Sequence, residues 1–285
     1  MKTVLSNAEF NKAVKAHLAE YKRTRLEVME DGVWGRNQSP YPHILPKDRF
    51  RLNIIERFRD DFWQDYEAGR LGSRFNLQSD FHHLNSSQAL AFNLFYPFIR
   101  HDQRYMPELL ALLGVPVKPV AQVAFEKILD RREATNFDFC VGHEDGSYVT
   151  VEVKYSENGF AGHKHGPRYD KRWDQLYRNR AAAVFVPSAA TKDQFLEHYQ
   201  LFRNLVYLDT HPESHVLFIV PTENGAFRDL NVQLDNVLRP EYRDRAVIVG
   251  LETLVDLLLV GAVDIGSKSL ARDVKEFRRK YLEYQ

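Results

Sequence analysis

Asp138, Glu152 and Lys154 sit inside two apolar stretches, Phe137-Asp138-Phe139-Cys140-Val141 and Tyr148-Val149-Thr150-Val151-Glu152-Val153-Lys154. Residues 142–147, Gly-His-Glu-Asp-Gly-Ser, separate them with turn chemistry. The pattern predicts a β-hairpin that carries two acids and a lysine where strands ordinarily pack apolar side chains. Carboxylates clustered in such a place are costly unless a cation offsets them. Hard oxygen ligands suit Mg2+, with Mn2+ as a substitute, and no set of Cys and His residues competes for zinc. A lysine close to a metal-holding glutamate on the same face is placed to orient an attacking water. The chemistry expected of such a trio is metal-assisted hydrolysis of a phosphodiester.

Strand side chains change face at every step. In the second stretch Val149, Val151, Val153 and Tyr155 share one face, and Tyr148, Thr150, Glu152 and Lys154 the other. In the first, Phe137, Phe139 and Val141 alternate with Asn136, Asp138 and Cys140. Folding back sets Asp138 opposite the neighbourhood of Val151 and Glu152, within the ~5 Å that cross-strand neighbours span. Turn geometry or a bulge decides which face Asp138 shares, and the sequence leaves that open. A solvated sheet face bearing an ordinary Glu–Lys pair is the competing reading.

Asp138 followed by Glu152-Val153-Lys154 resembles the PD-(D/E)XK nuclease superfamily. Glu126, in Val-Ala-Phe-Glu-Lys-Ile-Leu, resembles the additional acid that many members place beside the metal, whereas Phe137 stands where the motif name has proline. The resemblance implies an α/β restriction endonuclease-like core, a mixed central sheet flanked by helices. It also implies Asp138, Glu152, Glu126 and the Val153 carbonyl on metal, Lys154 on water, and DNA as substrate. The segment Ser86–Asn93 resembles a helix of uncharacterised bacterial members, and Gln88 would reach the site if that helix packs on the sheet.

These residues need elements to hold them. Up to about residue 115 the chain reads as mostly helical, with spans over 6–30, 48–68 and from 86 onward. From 116 to 285 strands at 120–126, 135–141, 148–155, 181–186, 215–221 and 246–249 interleave with helices near 191–206, 251–260 and 269–283, an α/β pattern. The expected organisation is therefore a helical N-terminal extension, 1–115, and a nuclease-like core, 116–285.

A second constellation follows the lysine strand. Lys164, Arg168, Lys171 and Arg172 are interleaved with aromatics including Trp173, a combination that suits phosphate tracking and base stacking. Arg203, further on, is a candidate phosphate contact. Trp34, between two glycines, reads as a stacking platform or as cover for a core edge.

The 285 residues are 44% hydrophobic and 13% aromatic, enough for a sizeable core. With 39 basic and 39 acidic residues, binding of nucleic acid must come from a local patch rather than bulk charge. One cysteine, Cys140, and the lack of an apolar leader or span point to a cytoplasmic protein away from membranes. A homodimer or a partner protein stays open. The rival classes are a non-catalytic nucleic-acid- or protein-binding module on the same scaffold and a small-molecule phosphate-ester hydrolase.

Overall fold

The computed structural model describes residues 4–72, 74–101, 103–133 and 135–284. Helix α1 (Asn7–Thr24) starts at a capping box in which Ser6 and Glu9 bond each other's backbone N–H. A short antiparallel hairpin, β1 (Gly32–Trp34) and β2 (Ser39–Tyr41), follows. The helix expected over 48–68 is broken. Two 3-10 segments, Lys47–Asn53 and Glu56–Phe58, precede α2 (Arg59–Glu67). The break has a cause in hydrogen bonding: the Ile55 N–H donates to the side chain of Asn93, while the Asn53 carbonyl accepts from the Asn93 side-chain amide and from Lys280 Nζ. Neither is free to continue a helix. Then come α3 (Ser87–Arg100), capped by Ser86, and α4 (Met106–Leu112).

Strands β3 (Val120–Ile128), β4 (Asn136–His143), β5 (Tyr148–Val153), β6 (His215–Val220) and β7 (Ala246–Gly250) form one sheet in that order. The first three pair antiparallel and the last three parallel, so the sheet is mixed. Between β5 and β6 lie α5 (Pro167–Arg172), a π-helical turn (Trp173–Tyr177), α6 (Arg178–Val184), α7 (Lys192–Glu197) and α8 (Tyr199–Leu205). The strand expected at 181–186 is the end of α6; only Phe185 makes a bridge, to Leu238. Alanine-rich Arg-Ala-Ala-Ala favours helix, and local propensity prevails over the short apolar run. Helices α9 (Leu230–Val237), α10 (Pro240–Arg243), α11 (Leu251–Asp264) and α12 (Lys268–Tyr281) complete the chain.

The sheet is covered on both faces, which explains why the central strands β5 and β6 are buried almost throughout. On one side α3 lies on β4 and β5, with Phe95 stacked on Phe139 at 4.1 Å and Phe92 against Phe125 at 4.9 Å. This cluster runs without a gap from Phe10 and Phe62 through Val151 and Ile219 to Tyr281, joining residues on both sides of position 115. On the other side the α6–α9 region packs Phe195, Phe202 and Leu234 against Val216 and Phe218. Phe137 and Phe139 were expected to share a face, yet Phe137 joins the second cluster and Phe139 the first. Strand β4 therefore turns over at Asp138. Among the described residues no helix is long and apolar enough to cross a membrane.

Candidate active site

The hairpin register is Phe139↔Val151, Cys140↔Thr150 and Val141↔Val149. One step further along that ladder, Asp138 meets Glu152. Strand β3 pairs Phe125 with Phe139 and Lys127 with Phe137, which leaves Glu126 and Asp138 between those pairs. Asp138 thus lies between two acids, Glu126 and Glu152. Glu126 has φ +49°, a left-handed backbone for a non-glycine residue within a strand. Such a conformation costs on the order of 1–3 kcal/mol and persists only where neighbours fix it. Here Gln88, from the helix laid over the sheet, donates to one Glu126 oxygen at 2.7 Å, and Asn136 donates to the other at 3.1 Å.

Glu152 is buried and accepts from three donors. Lys154 Nζ and Gln200 Nε2 reach one oxygen at 2.7 and 3.0 Å, and Asn204 Nδ2 reaches the other at 3.1 Å. Asp138 accepts the Val153 N–H at 2.7 Å and keeps part of its side chain open to the cleft. Lys154 is buried beneath the Phe160 ring at 5.5 Å. Gln200, Arg203 and Asn204 come from α8, so its polar face meets the sheet at Glu152; Arg203 projects into the same cleft, 5.6 Å over Tyr199.

Desolvation, then the charges of Glu152 and Glu126, push the Asp138 carboxyl well above the usual carboxylate range. Burial likewise raises Glu126. Burial alone would lower Lys154, but Glu152, Glu157 and Asp138 together outweigh it and hold the ammonium above its ordinary value. Three carboxylates facing one ammonium leave a local excess of negative charge. Among the described residues no three His, Cys, Asp or Glu side chains stand together in metal-holding geometry. The charge excess and the all-oxygen donor set nevertheless fit a hard divalent cation, with Asp138 and Glu152 opposite each other along the β4–β5 ladder.

All of these groups line one polar cleft of about 1070 Å³. Glu126, Asp138, Glu152, Val153, Lys154, Gln88 and Arg203, the seven residues singled out by sequence for chemistry or support, are on its wall. The basic segment lies elsewhere. Arg168, Lys171 and Arg172 line a separate concavity of about 490 Å³ with Arg132, and Lys164 is exposed on the loop before α5. Tyr199 links the two places, since Arg172 donates to its hydroxyl at 3.3 Å while Arg203 lies over its ring. Trp173 is a correction: it is 4% exposed and packs 5.3 Å from Phe195, so its ring serves the core rather than a nucleic-acid face. Sequence reasoning missed Gln200 and Asn204 as partners of Glu152. Their i, i+4 spacing, with Arg203 on the same face of a helix whose other face is apolar, was the available signal.

A family model described as Restriction Endonuclease associating with ARP matches residues 15–282. No curated protein and no solved structure matches the chain.

Proposed function

The chain belongs to the family of restriction endonucleases associating with ARP, and from that premise we propose that it is a PD-(D/E)XK nuclease that hydrolyses phosphodiester bonds, of DNA by preference, with Mg2+ or Mn2+. The observation that carries this reading is the placing of Asp138 between Glu126 and Glu152, with Lys154 bonded to Glu152, inside one polar cleft. Asp138, Glu152 and the Val153 carbonyl would hold the cation, with Glu126 beside them. When bound, the cation supplies charge neutralisation at the scissile phosphate and lowers the pKa of an attacking water. Lys154 orients that water and offsets charge that grows on phosphate oxygens. Gln200 and Asn204 fix the rotamer of Glu152, and Gln88 and Asn136 fix Glu126, as outer partners do in metal sites. Arg203 faces the cleft as a phosphate contact, and Arg168, Lys171 and Arg172 extend a basic track beyond Tyr199.

The test is incubation of purified protein with linear, circular and single-stranded DNA in Mg2+, Mn2+ or EDTA, beside Lys154→Ala and Asp138→Ala. Metal-dependent cutting that both substitutions abolish supports the reading. Cutting that survives them, or binding without cutting in every metal, overturns it, the latter in favour of a non-catalytic binding module.

A further inference from the structure

The cleft has a second wall that the hydrolytic groups do not use. Hairpin β1–β2 and helix α1 contribute Trp34, Arg36 and Lys15 to it. Gly32 allows the hairpin to dock there: its N–H donates to the Ile44 carbonyl at 2.9 Å, and a Cβ would stand 2.1 Å from the Leu45 oxygen. The Trp34 indole is held edge-on by Tyr41 at 6.1 Å and His83 at 6.5 Å. The Arg36 guanidinium lies 5.6 Å above the same ring, and Arg36 is exposed. Neither Arg36 nor Lys15 forms an ion pair among the described residues, although the facing wall is rich in acids. This is a cationic, π-bearing layer whose positive charge is not paired with an acid among the described residues.

Such a layer complements two things at once, the face of a nucleobase and an adjoining phosphate. In an intact duplex the base faces are covered by their neighbours, so a platform of this kind takes a base only where a strand is unpaired. We propose that Trp34, Arg36 and Lys15 form a nucleotide subsite in which an unpaired base stacks on the Arg36–Trp34 layer and its phosphate meets Lys15. The preferred substrate is accordingly single-stranded or locally opened DNA. The inference rests on the nuclease reading and adds the form of the strand to it.

Intrinsic fluorescence isolates the subsite, because the other two tryptophans, Trp63 and Trp173, are 3% and 4% exposed. A short single-stranded DNA oligonucleotide, titrated in EDTA so that nothing is cut, is expected to quench the emission. The duplex of the same sequence is expected to quench it far less. Trp34→Phe should abolish the signal, and Arg36→Ala should weaken single-strand binding about tenfold while changing duplex binding less than about twofold. Arg36 is exposed, so its removal leaves the fold intact, and thermal melts confirm that for both variants. Absence of single-strand quenching, or an equal loss on both substrates in Arg36→Ala, overturns the subsite. Lys154-dependent cutting without a Trp34 signal removes the subsite and leaves the nuclease reading standing. A Trp34 signal without cutting in any metal does the reverse.

Discussion

Replacing Asp138 by asparagine should make the metal-free protein more stable and the metal-loaded one inert. The asparagine oxygen keeps the acceptor that Val153 N–H uses at 2.7 Å. What disappears is a charge facing Glu126 and Glu152 on either side, with only Lys154 to oppose it. At cross-strand spacing of ~5 Å and an effective dielectric near 20, each like pair costs roughly 3 kcal/mol and the lysine returns a similar amount. Proton uptake by the raised Asp138 relieves part of the remainder. A net gain of about 1–3 kcal/mol is therefore expected on losing the charge, a rise in Tm of about 2–10 °C at this chain length. The sign with pH is fixed as well. A carboxyl raised in the folded state costs stability as pH climbs above the unfolded value of 3.8, so the advantage of the variant should grow toward alkaline pH. In the wild type, Mg2+ at about a hundredfold over its Kd should stabilise by ~2.7 kcal/mol, and in the variant by nearly nothing. Thermal melts of both proteins, with EDTA and with Mg2+, measure all of this. A variant less stable than wild type in EDTA, or one that Mg2+ stabilises as strongly, would refute the idea that these acids await a cation.

Lys154→Ala should lower any metal-dependent cleavage by about 100-fold or more, read as single-turnover rate, because the group that orients water is lost. Trp173→Ala should cost about 3–5 kcal/mol in chemical denaturation and leave nucleic-acid affinity unchanged in the fraction that folds. Arg168→Ala should do the opposite, weakening binding and reducing the salt dependence by about one counterion with no change in stability. Burial holds His43 and His83 at about 4, so the unfolded chain binds more protons than the folded one between about 4 and 6.5. Stability should fall as pH drops through that window, and His83→Gln should make the fall shallower in a series of melts from pH 7 to 4.5.

The hairpin was legible because its pattern is local. Alternating valines and phenylalanines, a polar turn and misplaced acids define β4 and β5 to within two residues. Strands β6 and β7 were legible for a related reason, being short apolar runs bounded by turn residues. What failed depended on distant partners, the 181–186 segment excepted. Nothing near Ile54 announces that Asn93, far along the chain, takes the Ile55 N–H and ends a helix there. Phe185 follows three alanines that commit to helix before any strand pairing can be made. Trp173 looked like a binding residue because it lies among cations, but the π-helical turn rotates it inward onto Phe195. At the site itself the charged trio was visible, whereas the amides of Gln200 and Asn204 became meaningful only once α8 was folded against β5.

The unbroken apolar cluster that runs from Phe10 to Tyr281 bears on whether the chain can be cut in two. Because Phe92 and Phe95 cover the very strands that carry the acids, the stretch beyond position 115 is no transplantable cassette. Expressed by itself it would bare a broad greasy sheet to water and stick to its own kind.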